Sequence, residues 1–149
     1  MILLDTNVLA EFMRPVSAAH VVAWLDAQLS DQVWVSAITR AEIELSIALM
    51  PDGQRKQGLK LAADAIFIDE FTGRCLPFDE QAATEYARIV ASRTRLGRPI
   101  SVEDAQIAAI AIARGMTLAT RNGKDFVHIE GLDLIDPWQV NDRGETTIS

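Results

Sequence analysis

The sequence predicts an α/β fold in which a central, mostly parallel sheet is covered by helices. Short apolar runs alternate with longer segments whose apolar residues recur at helical spacing, which is typical of such sheets. The 149 residues, 49% hydrophobic and 23% charged, suffice for one domain with its own core. We expect this domain to span residues 1–140. Residues 141–149 lack periodicity and are expected to form a flexible tail.

Five short apolar runs, which lie between longer segments of helical period, are predicted to be strands. The predicted strands are Ile2–Leu4, Val33–Ser36, Leu76–Phe78, Thr117–Thr120 and Leu134–Ile135. Longer segments with apolar residues at spacings of three and four are predicted to be helices. The predicted helices run near Thr6–Met13, Ala18–Leu29, Ala37–Met50, Gln54–Ile68, Glu80–Leu96 and Val102–Arg114.

The residues available as metal ligands favour coordination by oxygen. Cys75 is the single cysteine, which excludes an internal disulfide, and the two histidines, His20 and His128, lie far apart. Neither a Cys-x-x-Cys nor a His-x-x-x-His spacing occurs, so a structural zinc site lacks ligands. A metal bound by this chain must therefore be held by oxygen, which favours Mg²⁺ or Mn²⁺.

The net charge of −7 opposes long-range attraction of nucleic acid. Nucleic acid can still be a substrate if metal ions and a few arginines neutralise one groove, and the same charge suits a basic protein partner. The first residues lack a basic segment, and no apolar run is long enough to cross a bilayer. We therefore expect a cytoplasmic protein without membrane contact.

Polar residues follow three predicted strands, at the edge where open α/β sheets bind ligands. These clusters read Asp5-Thr6-Asn7, Ser36-Ala37-Ile38-Thr39 and Thr120-Arg121-Asn122. Asp5 has two interpretations: it caps the first helix through an Asx turn, or it is a functional carboxylate. Its position alone does not separate them.

Glu42 lies on a stripe that is predicted to face the core. The stripe consists of Ile38, Glu42, Leu45 and Leu49. Burying a charge costs several kcal/mol unless the charge is paired or binds a metal. The alternatives are a salt bridge to Arg40 or Arg121, or a place at the wet edge of the stripe. We favour a functional carboxylate.

Asp104 lies one turn inside a helix that is apolar nearly all round and therefore predicted to be buried. It shares a face with Ile107, Ala108 and Ala111. The alternative is a capping box in which Ser101 is the N-cap and Asp104 lies three residues later. Capping explains this acid alone, but not its coincidence with Asp5 and Glu42.

A fourth polar group is predicted near the last long loop. Asn122-Gly123 is a turn signal, and Asp125 is either a plain solvated acid or an additional charge of the same pocket. We favour Asp125 as the added acid and Asn122 as a polar positioning residue.

Clustered carboxylates destabilise a fold unless cations lie between them. Mg²⁺ prefers a few carboxylates together with waters and phosphate oxygens. One or two such ions can activate water and stabilise the oxygens of an in-line phosphoryl displacement. The predicted cluster therefore suggests hydrolysis of phosphodiester bonds.

Four segments of the chain, in this order, resemble the signature of the PIN-domain family. They are Ile2-Leu3-Leu4-Asp5-Thr6-Asn7-Val8-Leu9, Ser36-Ala37-Ile38-Thr39-Arg40-Ala41-Glu42, Pro99-Ile100-Ser101-Val102-Glu103-Asp104-Ala105-Gln106-Ile107-Ala108-Ala109 and Leu118-Ala119-Thr120-Arg121-Asn122-Gly123-Lys124-Asp125-Phe126. Within that family the chain is most similar to VapC toxins of the FitB-like branch, which share Leu76-Pro77-Phe78-Asp79 and the ending Asp136-Pro137-Trp138.

The resemblance implies a three-layer α/β/α fold and an endoribonuclease that depends on Mg²⁺, with Mn²⁺ as a substitute. It also implies an RNA substrate, a homodimer and inhibition by a cognate VapB-type antitoxin. The metal-binding aspartates of the family correspond to Asp5 and Asp104, its glutamate to Glu42 and its pocket threonine to Thr120. Some members place a fourth acid where this chain has Asn122, and Asp125 is then the substitute. With Thr6, Asn7 and Ser36, these residues form the predicted site.

Three other functions compete with this interpretation. A phosphatase of the haloacid-dehalogenase type would use Asp5 as nucleophile, but it requires a second aspartate where Asn7 stands. A DNA-directed 5′-nuclease shares the acidic pocket but usually needs more chain to clamp a duplex. A PIN-like binding module that has lost catalysis would lack acids that are all present here.

Overall fold

Five parallel strands form one sheet in the computed structural model, which describes residues 1–139. The strands are β1 (Ile2–Leu4), β2 (Val33–Ser36), β3 (Cys75–Leu76), β4 (Thr117–Ala119) and β5 (Leu134–Ile135), in the order β3-β2-β1-β4-β5. Each neighbouring pair is parallel. The predicted parallel sheet is confirmed, although β3 begins one residue before the predicted Leu76–Phe78 and ends two residues before its predicted end. The predicted tail, residues 141–149, lies outside the described residues.

Helices connect the strands up to β4 and begin at, or one residue from, their predicted starts. They are α1 (Thr6–Glu11), α2 (Ala19–Asp26), α3 (Ala37–Ala48), α4 (Gln54–Asp64), α5 (Glu80–Arg95) and α6 (Val102–Ala113). The segment Ala65–Glu70 continues α4 as a wider π-helical turn, where the sequence predicted a plain α-helix. Within residues 1–139, no helix is long and apolar enough to span a membrane.

The two faces of the sheet pack against different helices. Leu3 and Leu4 are both fully buried, and because neighbouring strand residues point to opposite faces, they enter separate cores. Leu3 packs with apolar residues of α5 and α6, whereas Leu4 packs with those of α1, α3 and α4. The predicted three-layer α/β/α arrangement is therefore confirmed.

The strand order creates a crevice at the centre of the sheet. From β1 the chain moves outward to β2 and β3, and after α5 and α6 it returns to β4 on the other side of β1. Open α/β sheets bind ligands outside the carboxyl ends of the strands at such a reversal. The residues that follow β1 and β4 are thus brought together.

The predicted core-facing stripe of α3 is wrong. Leu45 and Leu49 are 58% and 77% exposed. The buried residues of this helix are instead Thr39, Ile43 and Ile47. Apolar residues occur on neighbouring stripes of α3, so periodicity alone does not decide which one faces the sheet. Glu42 precedes the buried Ile43 by one position and lies at the edge of the buried face.

The corrected face predicts unequal effects of two substitutions in α3. Ile43→Ala should lower the free energy of unfolding by about 2–5 kcal/mol, because it removes a buried side chain. Leu45→Ala, the matched control on the same helix, should change it by less than about 0.5 kcal/mol. Urea unfolding measures both values. An equal loss in the two variants would contradict this placement of the buried face.

Candidate active site

Asp5 links β1, α1 and β4. Its Oδ1 accepts a hydrogen bond from the Thr6 backbone N–H (2.8 Å), and its Oδ2 accepts one from Thr120 Oγ1 (2.7 Å). Its own backbone N–H donates to the carbonyl of Ala119 (2.9 Å). The residue is only 4% exposed. Asp5 is therefore the N-cap of α1, as one interpretation held, and also a buried carboxylate at the central crevice.

Thr120 organises the residues that follow β4. Its buried Oγ1 accepts a hydrogen bond from the Asn122 backbone N–H (3.1 Å) and lies 3.4 Å from Asn7 Nδ2. Asn7 Oδ1 also accepts from the Arg121 backbone N–H (3.3 Å). Asn7 and Thr120 thus hold the start of α1 against the end of β4. Asn122 takes part through its backbone, and its side chain is exposed.

Glu42 reaches the same edge of the sheet from α3. Thr6 Oγ1 donates to Glu42 Oε1 (2.9 Å), and the Thr39 hydroxyl lies 3.0 Å from that of Thr6. The arginine partners considered for Glu42 are engaged elsewhere. Arg40 pairs with Glu44 at 3.1 Å, and the Arg121 guanidinium lies 4.8 Å from the centre of the Trp138 ring.

Asp104 lies in the first turn of α6 and is half-buried. The Ser101 hydroxyl accepts a hydrogen bond from the Asp104 backbone N–H (3.1 Å), so the predicted N-cap is present. This cap uses the backbone of Asp104, while its carboxylate lies close enough to Asp5 and Glu42 to raise the pKa of both. Capping and membership of the acidic cluster are therefore compatible.

Asp125 and Ser36 differ in how they relate to the cluster. Asp125 ends a short 3-10 turn, Gly123–Asp125, and is exposed, yet its charge raises the pKa of Asp104. Ser36 is fully buried at the start of α3, where its hydroxyl accepts from the Thr39 backbone N–H (3.1 Å). The Ser36 hydroxyl thus caps α3, and the role of Ser36 as a pocket residue stays a prediction.

Burial and mutual repulsion shape the electrostatics of the cluster. Burial raises the pKa of Asp5 to about 6, against the lowering effect of the Thr120 and Thr6 hydrogen bonds. Burial also raises the pKa of Glu42 and that of Asp104, and neighbouring carboxylates add to both. Among the ion pairs formed within residues 1–139, none includes Asp5, Glu42 or Asp104. The protein thus holds these acids together without a directly paired cation.

The acids form an open cluster, not a closed cage. Within the described part of the chain, no three acidic, histidine or cysteine side chains lie close enough to enclose a metal ion. The oxygen donors nevertheless fit Mg²⁺, which takes one or two carboxylates and completes its octahedron with water and substrate oxygens. A site of this kind leaves coordination positions open for a substrate phosphate.

An apolar cavity of about 820 Å³ adjoins the acidic cluster. It lies between α1, α3 and α4, and Thr6 and Glu42 line it where it meets the cluster. Arg14 and Arg55 provide positive charge along a wall that is otherwise mainly apolar. The cavity can therefore take an apolar side chain beside the acids.

Two buried charged residues were missed by the sequence analysis. Glu11, 4% exposed, accepts from the Ala18 backbone N–H (2.8 Å) and pairs with Arg14 (3.1 Å). Arg93, 5% exposed, lies on the buried face of α5, four residues after the buried Ile89. That spacing was a usable signal, since a charged residue on an apolar stripe needs a partner or a function.

Asp5→Asn should stabilise the metal-free protein at neutral pH. The folded-state pKa of Asp5 is raised from 3.8 to about 6, so the destabilisation is fully present above the folded pKa and is relieved as pH falls towards the unfolded value. We expect the variant to gain about 1–3 kcal/mol of unfolding free energy at about pH 7.5, and less at about pH 4.

Urea unfolding in EDTA at the two pH values measures this difference. Asp133→Asn is the matched control. Asp133 is exposed and directly precedes β5, so it lies at the amino ends of the strands, whereas the acidic cluster lies at their carboxyl ends. An Asp5→Asn protein less stable than the wild type at neutral pH would contradict the conclusion that burial of the charged Asp5 carboxylate, with a smaller contribution from Asp104 and Glu42, destabilises the metal-free fold.

Comparison with known proteins places this geometry in a family. Residues 2–132 match the family described as PIN domain. The chain is 42% identical over 140 residues to the plasmid stability protein StbB of Pseudomonas syringae pv. tomato, covering 94% of this chain and 100% of that protein. It is 41% identical to the toxin FitB of Neisseria gonorrhoeae (93% and 99% covered) and 39% identical to the VapC ribonuclease Y4jK of Sinorhizobium fredii (93% and 99% covered).

Solved structures of high similarity carry the same fold. The structure of FitAB bound to an IR36 DNA fragment matches with a TM-score of 0.86 and 40% identity, covering 95% of this chain and 98% of that chain. The FitAcB structure from Neisseria gonorrhoeae matches with a TM-score of 0.82 and 38% identity, covering 93% and 99%. The chain belongs to the PIN-domain family, in the branch of the VapC and FitB toxins.

Proposed function

We propose that this chain is the toxin of a toxin–antitoxin pair and acts as a metal-dependent endoribonuclease. The observation that carries the proposal is the meeting of Asp5, Glu42 and Asp104 at the central crevice without a directly paired cation. Such a cluster is costly in the metal-free protein, and binding of a divalent cation removes that cost. Relatives that share most of the chain are named toxin and ribonuclease, which supports RNA as the substrate.

Asp5 and Asp104 would hold Mg²⁺, with Mn²⁺ as a substitute. When bound, the ion activates a water molecule and stabilises negative charge on the phosphate oxygens. Thr120 and Thr6 fix both oxygens of Asp5, so this carboxylate keeps one orientation. Thr6 holds Glu42 Oε1, which leaves Oε2 to accept a proton from the attacking water.

The remaining predicted residues would shape the pocket around the reacting phosphate. Asn7 and Asn122 hold the end of β4 through Thr120, and Ser36 fixes the start of the helix that carries Glu42. Asp125 adds negative charge beside Asp104. The competing phosphatase mechanism lacks its second aspartate, because Asn7 stands two residues after Asp5.

The partner proposed for this toxin is a VapB-type antitoxin. Structures of FitAB and VapBC are among those that share this fold. A basic, amphipathic antitoxin segment suits the present chain, whose net charge is −7 and whose apolar cavity opens beside Glu42. An arginine from that segment could bind the acids bidentately. We also propose that the chain forms a homodimer and acts in the cytoplasm.

Asp104→Asn is expected to lower the rate of RNA cleavage by at least about 100-fold, because the metal and its water lose their position. The fold should persist, since the cap of α6 uses the Asp104 backbone. Cleavage of a labelled RNA by the toxin freed of its antitoxin measures the rate. EDTA should abolish wild-type cleavage, and Mg²⁺ or Mn²⁺ should restore it.

The exposed Asp133→Asn serves as the matched control and should cleave at the wild-type rate. Wild-type activity of Asp104→Asn, or undiminished wild-type cleavage in EDTA, would refute the metal-dependent mechanism.

A further inference from the structure

A buried arginine lies behind the acidic cluster. Arg93 of α5 is 5% exposed, and its Nε donates to the carbonyl of Arg98 (2.8 Å). Its Nη1 donates to the carbonyls of Asp125 and Val127 (3.0 Å each). Within residues 1–139 no carboxylate oxygen lies within 4.0 Å of its guanidinium. A buried positive charge is thus satisfied by three backbone carbonyls.

The three carbonyls belong to the two segments that present acids to the site. Arg98 lies three residues before Ser101, the N-cap of the helix that carries Asp104. The other two carbonyls belong to the loop after β4, and one of them is the carbonyl of Asp125 itself. One planar side chain therefore joins the segment that leads to Asp104 to the segment that contains Asp125. Its five N–H donors in fixed geometry suit this role better than a lysine would.

The charge of Arg93 also acts on the site. It lowers the pKa of Asp104, against the raising effects of burial and of the neighbouring Asp125 and Glu103. A neutral amide side chain could also donate to backbone carbonyls, and burying a charged guanidinium without a carboxylate partner is more costly. The positively charged guanidinium of Arg93 instead lies where it offsets part of the repulsion among the acids.

We propose that Arg93 is a positioning residue, which holds Asp104 and Asp125 in the arrangement that binds the divalent cation. This inference rests on the proposed function in that it takes the acidic cluster to be a metal site. Arg93 acts through backbone carbonyls and does not touch the ion or the RNA. Its loss therefore acts through the placement of the two carboxylates.

The test compares Arg93→Lys and Arg93→Met with the wild type, and Arg95→Met serves as the matched control on an exposed position of α5. Isothermal titration with Mn²⁺ alone gives the metal affinity. Hydrogen exchange of the metal-free proteins follows the amides of Asp104, Asp125 and Phe126, which are hydrogen-bonded in this structure. We expect Mn²⁺ affinity to fall by about 10-fold or more in both Arg93 variants, as for other residues that orient metal ligands.

The direction of the change is diagnostic. Removing a positive charge from beside an acidic site should by itself strengthen cation binding, so weaker binding by Arg93→Met reports displaced carboxylates. Faster exchange of the three amides should accompany it, with Arg95→Met unchanged in both measurements. Equal or stronger Mn²⁺ binding with unchanged exchange would overturn the proposal.

The same measurements also remain informative if a variant does not fold or if the wild type binds no Mn²⁺. If Arg93→Met does not fold, Arg93→Lys keeps the charge and is judged by the same two measurements. If the wild type binds no Mn²⁺, the metal site of the proposed function fails, and the exchange rates still decide whether Arg93 orders the two segments.

Discussion

The burial of neighbouring carboxylates, which also repel one another, is the constraint on which the arrangement of this protein depends. Asp5, Glu42 and Asp104 come from β1, α3 and α6 and meet at one crevice, where burial raises the pKa of each. Hydrogen-bond donors offset part of this cost at two of the three acids. Thr6 donates to oxygens of Asp5 and Glu42, and Thr120 donates to the second oxygen of Asp5. A divalent cation bound between these acids would offset the cost of their burial and repulsion.

The fold resists this repulsion because the strands beneath the site are buried on both faces. Leu3 and Leu4, which precede Asp5, enter opposite cores and are fully buried. Leu118 and Ala119 do the same just before Thr120. The Asp5–Thr120 hydrogen bond therefore joins the ends of two strands that cannot shift without opening a core. Rigid placement of this kind is what orientation of a reacting phosphate requires.

Local patterns in the sequence predicted most of the sheet and the acids of the site. Short apolar runs predicted the strands. Asp5 directly follows the first run, so its position at the carboxyl end of β1 could be predicted from neighbouring residues alone. The exposed Leu45 was assigned to the core because helical periodicity does not specify which stripe a sheet will cover. The three acceptors of Arg93 are backbone carbonyls. Every residue has such a carbonyl, so the sequence does not indicate which ones this arginine binds.

The most direct test of the central claim is to locate a bound cation in the antitoxin-free protein. Anomalous diffraction from crystals soaked in Mn²⁺ would show the position of the ion without reference to activity. The account predicts one strong peak at the central crevice, bonded to carboxylate oxygens of Asp5 and Asp104. The peak should vanish in Asp104→Asn and persist in Asp133→Asn. A peak elsewhere on the protein, with none between Asp5 and Asp104, would contradict the account.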